Sequence, residues 1–197
     1  MSLDPQNKKD ALQGVFTRSA SSYEHIRYFP IYGEWLVDTA QIPAGATVLD
    51  VACGRGAVLF PAAQRVGAKG KVIGIDLADG MARETDSEIK RRGLTQAEAR
   101  QMDAETLDFP ASFFDFVLCG FSVQFFPHLD RALTEFRRVL KPGGRVAVTT
   151  WGDDDSRWDG FDAMRTAYGA VLRLGSQSLD TLKKIEKWFS DAGFDDI

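Results

Sequence analysis

The spacing of apolar positions changes period several times along the chain. Leu12, Val15 and Phe16 recur at helical spacing between Lys8 and about Tyr23, and a second helical stretch runs from about Ile31 to Ala40 before Pro43 and Gly45 close it. Two N-terminal helices are predicted. From Thr47 the pattern alternates. TVLDVA (47–52) is predicted to be a strand, 57–66 a helix, KVIGID (71–76) a strand, and 80–92 a charged helix stopped at Gly93. A weak third strand is predicted at 99–102, FDFVLCG (114–120) is the fourth, and RVAVTTW (145–151) is the fifth, with the helix DRALTEFRRVL (130–140) between the last two.

Strands alternating with helices of roughly ten to fifteen residues imply βαβ crossovers and a parallel sheet. Nearly continuous apolar strands imply helices on both faces. The expected fold class is therefore α/β, a Rossmann-like, doubly wound, mostly parallel sheet. Residues 179–192 predict one more helix, Gly193 its stop, and FDDI (194–197) the start of a sixth strand. The C-terminal strands are thus expected to be incomplete or absent, through truncation or missing C-terminal residues.

With 197 residues and 44% hydrophobic content, the chain suits one domain, which on folding removes roughly 70% of the unfolded surface from water. Within it, 1–44 is expected to form a helical cap or lid, 45–151 the cofactor-binding core, and 152–197 a helical insertion and the start of a C-terminal strand. A net charge of −4 argues against a nucleic-acid partner. Cys53 and Cys119 lack C-x-x-C spacing and there are two histidines, so no metal site and reduced structural thiols are expected. The N-terminus is polar and no apolar run approaches the ~20 residues of a membrane span. A cytoplasmic protein is the expectation.

In an open parallel sheet, ligands bind beyond the carboxyl ends of the strands. Asp50 ends the first strand, and Ala52-Cys53-Gly54-Arg55-Gly56 follows it. The glycines let backbone approach a ligand, and the next helix N-terminus offers free N–H groups; a tight structural turn would read the same way. Asp76 ends the second strand, where an acid can accept both hydroxyls of a ribose or cap the next helix. Asp103 follows the third strand, placed to accept from an adenine amino group or to sit in a solvated loop.

Together the three acids separate two nucleotide readings. A nicotinamide site needs G-x-G-x-x-G facing a pyrophosphate, but Gly54-x-Gly56 continues to Leu59, and Asp50 would repel a pyrophosphate. A ligand with ribose, adenine and a cation but no phosphate fits better. S-adenosylmethionine meets that description.

At these residues the chain resembles the class I S-adenosylmethionine-dependent methyltransferases. It is most similar to their small-molecule branch, which includes the ubiquinone/menaquinone C-methyltransferases. The resemblance rests on VLDVACGRG (48–56), KVIGIDLADGM (71–81), QMDAETLDFP (101–110), and the run from FDFVLCGFSVQFFPHLD to LKPGGRVAVTTW, and it covers about residues 10–197. Ala52 departs from the motif's first glycine and is expected to add one methyl at little cost.

The resemblance implies that S-adenosyl-L-methionine is the cofactor. Asp50, Ala52, Gly54 and Gly56 would shape its methionine end. Asp76 would hold the ribose, while Leu77 and Met81 would line the adenine. Asp103 and the Ala104 N–H would face the adenine edge, Gly120 would offer its carbonyl to the ammonium, and Tyr23 would close over the carboxylate.

The implied function is methyl transfer to a small-molecule acceptor by in-line displacement. The alternative is a non-catalytic or regulatory protein that keeps the cofactor fold. No catalytic residue is assigned: His128 and Tyr23 are the candidates, and His25 lies near Tyr23 in the expected lid. The fourth-strand loop reads Gly120-Phe121-Ser122-Val123 rather than Asn/Asp-Pro-Pro-Tyr/Phe, which argues against amide or exocyclic amino nitrogens of protein and nucleic acid. Phe121, Phe125 and Phe126 would line a pocket for an aromatic or lipophilic acceptor, or else belong to the core. Trp158, Phe161 and Tyr168 would form a lid or a covering helix.

Overall fold

The computed structural model describes residues 4–23, 28–150 and 181–197. The elements in order are α1 (Pro5–Ser19), α2 (Tyr28–Ala40), β1 (Thr47–Val51), α3 (Leu59–Val66), β2 (Lys71–Asp76), α4 (Asp79–Arg91), β3 (Ala97–Gln101), β4 (Phe114–Gly120), α5 (Leu129–Val139), β5 (Leu140–Thr149) and α6 (Leu182–Asp191). The five strands form one sheet in the order β3-β2-β1-β4-β5, and every pair is parallel.

Strand order reverses between β1 and β4, and right-handed crossovers then place the connecting helices on opposite faces. The strand side chains follow this. Val48, Val72, Phe116 and Leu118 point into a core with Leu36 and Val37 of α2, and with α3. Their neighbours Leu49, Ile73, Val117 and Cys119 pack on the other face against α5 and Phe189 of α6. Leu129, Ala132, Leu133, Phe136 and Val139, one stripe of α5, are all fully buried.

The first two helices differ from their sequence bounds. Asp4 caps α1 by accepting from the Gln6 N–H, and Pro5 opens the helix, so it starts before Lys8. It also ends earlier, at Ser19. α2 spans Tyr28–Ala40 and so includes Pro30, which costs no helical hydrogen bond in a first turn. Within α2, Gly33 permits a close approach: a Cβ there would lie 2.0 Å from the Ala57 carbonyl oxygen. The helix therefore lies directly over the start of α3.

The fifth strand begins at Leu140 rather than Arg145, with a register shift opposite β4 between Phe114 and Phe116. That shift accommodates Pro142 and Gly143 (φ 76°) as a bulge, pinned by the Lys141 ammonium 2.8 Å from the Asp115 carboxylate.

At the C-terminus, 194–197 form no strand. Gly193 (φ 83°) turns the chain, and the Phe194 N–H donates to the Phe189 carbonyl, with the two rings 5.5 Å apart. That is a Schellman cap with its apolar contact. It commits the first of these residues to ending α6 instead of extending the sheet.

Candidate functional site: an acidic and aromatic cavity at the strand-order reversal

A cavity of about 480 Å³ opens at the carboxyl ends of the strands. All eleven residues expected at a cofactor line it: Tyr23, Asp50, Ala52, Gly54, Gly56, Asp76, Leu77, Met81, Asp103, Ala104 and Gly120. His128 is not among the lining residues. It is the N-cap of α5, and its N–H donates to the Glu105 carboxylate at 2.8 Å. His25, Trp158, Phe161 and Tyr168, like Trp151 of the predicted fifth strand, lie outside the described residues.

The loop after β1 is left-handed at Ala52 (φ 54°), Gly54 (φ 51°) and Gly56 (φ 82°). The glycines adopt such angles freely, and a Cβ at Gly54 would meet nothing within 4 Å, so that position is open to a ligand. At Ala52 the expectation of little cost is corrected, because an L-residue there is strained by about 1–2 kcal/mol. Ala52→Gly should stabilise the protein by roughly 0.5 kcal/mol, strain relief being partly offset by the greater freedom of glycine in the unfolded chain. A urea melt with an unchanged slope and a higher midpoint is the expected result; a lower midpoint would contradict it.

Asp50 is 1% exposed. The Leu59 N–H favours its charged form, but neither carboxylate oxygen closes a hydrogen bond. Burial, reinforced by the nearby charge of Asp76, raises its carboxyl well above the usual range. Burial likewise pushes Asp76 up to about 6, against the lowering effect of two backbone donors. Those donors are the Ala78 N–H at 2.8 Å and the Gly54 N–H at 2.9 Å. Asp76 therefore clamps the glycine loop to the end of β2, a role the sequence did not reveal. Each of its oxygens still has acceptor capacity for a ligand hydroxyl.

Asp103 is held by two contacts that sequence reasoning missed. The Lys9 ammonium, on α1, lies 2.6 Å from Asp103 and 2.5 Å from Glu105, and the Glu105 N–H donates to Asp103 at 2.9 Å. Burial alone would lower the Lys9 ammonium, but these bonds hold it above its ordinary value. No local pattern marks Lys9, because its partners lie more than ninety positions away.

Aromatic rings form the rest of the wall. Phe16, Tyr23, Phe29, Phe121, Phe125 and Phe126 all line the cavity, and Phe126 also packs edge-on to Phe136 in the core. Tyr23 stacks on Phe29 with centroids 5.6 Å apart and planes within 7°. Burial, with Tyr28 and Asp76 nearby, pushes its phenol up to about 12, so it remains protonated. Phe121, like Ala52, is left-handed (φ 54°).

These residues fit S-adenosylmethionine. A buried carboxylate without a hydrogen bond calls for a cation or a donor, and the Gly54 position leaves room for backbone approach. Aromatic faces also favour a positive charge.

Comparison with known proteins agrees. A family model described as a methyltransferase domain matches residues 48–144. The chain is 44% identical to the aklanonic acid methyltransferase of a Streptomyces species, over 75% of this chain and 67% of that protein. It is 30% identical to the demethylmenaquinone methyltransferase of Listeria welshimeri, over 96% of this chain and 89% of that one. A solved methyltransferase structure from Aquifex aeolicus superposes with a TM-score of 0.67 at 21% identity, covering 98% of this chain and 89% of that one, and so shares the fold. Motif order, site geometry and relatives thus converge: the chain belongs to the class I S-adenosylmethionine-dependent methyltransferases, on their quinone-methyltransferase-like branch.

Proposed function

We propose that the protein transfers the methyl group of S-adenosylmethionine to a small, planar, largely apolar acceptor that lies among the aromatic rings of the cavity. The observation that carries this reading is the continuity of one cavity, acidic at the glycine loop and aromatic toward α1, α2 and the loop after β4. Relatives named for an acid and for a quinone support it.

In this reading Asp50, Ala52, Gly54 and Gly56 hold the methionine end, and Asp50 faces its positive charge. Asp76 accepts from the ribose hydroxyls. Leu77 and Met81 pack on the adenine, Asp103 and the Ala104 N–H meet its edge, and the Gly120 carbonyl accepts from the ammonium. Bound there, the cofactor supplies an electrophilic methyl on a positively charged sulfur. The chain's own contribution is alignment of the acceptor in line with that methyl and exclusion of water by the rings. Tyr23, held neutral, serves as a hydrogen-bond donor and a covering ring, and no general base is assigned.

The test is incubation of the purified protein with S-adenosylmethionine and a panel of quinols, phenols and aromatic carboxylic acids. S-adenosylhomocysteine release together with a product one methyl heavier is the expected result. Cofactor binding without turnover on any planar acceptor, but with turnover on an aliphatic amine, would refute the acceptor class.

A further inference from the structure

We infer that Phe121 is the specificity-determining residue for a planar aromatic acceptor, and that Gln124 and Thr149 act as positioning residues by holding its ring in the cavity wall; this rests on the aromatic-acceptor reading above. Phe121 follows Gly120 directly, so it stands where β4 ends beside the strand-order reversal. Its φ of 54° is a conformation that bulky L-residues rarely adopt and that turns the side chain away from its extended direction.

Such strain persists only where the surroundings over-determine it, and here they act on both peptide groups. The Phe121 N–H donates to the Thr149 carbonyl at 2.9 Å and lies 3.2 Å from the Thr149 hydroxyl. Its carbonyl accepts from the Gln124 side-chain amide at 2.6 Å. Gln124 is itself only 8% exposed, between fully buried Val123 and cavity-lining Phe125.

The result is a ring fixed from the sheet side and met by rings from the helical side. Phe121 lies 5.9 Å from Phe29 at 55° and 5.3 Å from Tyr32 at 75°. From Phe29 the ring contacts pass through Tyr23 and Phe16 and return to Phe125, on the same loop as Phe121. Five rings therefore make a hoop that begins and ends on the loop after β4. Flat aromatic faces pack well in offset or edge-on contact with such rings, whereas a puckered aliphatic molecule gains only apolar area. Because Phe121 is bonded to Gly120, it ties the plane of the acceptor to the proposed cofactor position.

The test uses the intact chain saturated with S-adenosylhomocysteine and titrated with alizarin, a planar three-ring diphenol followed by its absorbance. Phe121→Leu keeps bulk without a π-face, and Phe121→Gly suits the left-handed backbone, so loss of folding is not the expected outcome of the latter. Both should weaken alizarin binding about tenfold, with S-adenosylhomocysteine affinity within about twofold of wild type, as measured calorimetrically. Gln124→Met should weaken alizarin binding about threefold alone and add nothing in the Phe121→Gly background, a non-additivity that a purely structural role would not produce.

Equal alizarin affinity in wild type and both Phe121 variants overturns the inference while leaving the aromatic-acceptor reading intact. Alizarin failing to bind the wild-type complex overturns both. Failure of wild type to bind S-adenosylhomocysteine refutes the cofactor assignment itself.

Discussion

Asp76→Ala is expected to weaken S-adenosylhomocysteine binding by at least about a hundredfold, since each hydrogen bond to a charged acceptor contributes roughly 1.5–3 kcal/mol and a ribose offers two hydroxyls. The loss has a second source. Asp76 also accepts from the N–H groups of Gly54 and Ala78, so alanine releases the glycine loop that would meet the methionine end. Asp76→Asn is not a mild substitute, because its NH₂ would oppose one of those two N–H groups. Calorimetric titration of wild type and Asp76→Ala checks this, and an affinity within about threefold of wild type would exclude Asp76 from the cofactor site.

Binding should also depend on pH. The free Asp76 carboxyl stands at about 6, and hydroxyl donors would lower it, so the ligand binds more tightly to the ionised form. Affinity should fall roughly tenfold between pH 7 and pH 5 if the bound carboxyl returns to the ordinary range near ~4.

The second large effect is a trade of affinity for stability at Asp50. The folded chain holds the Asp50 proton to higher pH than the unfolded chain does, because its carboxyl is raised by burial and by Asp76. The native state thus binds more protons above the unfolded carboxyl range, near ~4, and stability contributed by this group falls as pH rises through the folded value. Asp50→Asn removes that titration with little change in shape.

In the ligand-free protein the variant should match wild type at pH 4 and exceed it at pH 8. The melting temperature of the variant should therefore lie above that of wild type at pH 8, with the gain shrinking as the pH falls toward 4. Its S-adenosylmethionine affinity at pH 8 should drop at least about tenfold, because a bound cation favours the ionised Asp50 carboxylate and asparagine can supply no such charge. Thermal melts across that pH range carry the test. A difference in Tm that is independent of pH would show that the buried charge is not the cause.

Much of the site was legible locally. Asp50, Asp76 and Asp103 stand at or just beyond the ends of their strands, and a hydrophobic period marks a strand end without tertiary information. The glycine loop was equally plain. Boundaries set by single capping residues were not: Asp4 and Pro5 started α1 early, and the Pro142–Gly143 bulge let β5 begin at Leu140. The C-terminal strands were expected to be incomplete or absent, and 194–197 do not start one: the Phe194 N–H closes α6, and an apolar residue after glycine reads alike as a Schellman contact or a strand start.

What the sequence determined by itself is the fold class and the cofactor, since both depend on short-range periodicity and on residue types at strand ends. Tertiary structure alone decided three things: the Lys9 bridge to Asp103 and Glu105, the clamp of Asp76 on Gly54, and the left-handed Phe121 held between Gln124 and Thr149. Each joins groups separated along the chain or turned by one backbone angle. Contacts of that kind arise only when strand ends, loops and helices come together in the assembled sheet, and no periodicity in the sequence records where that is.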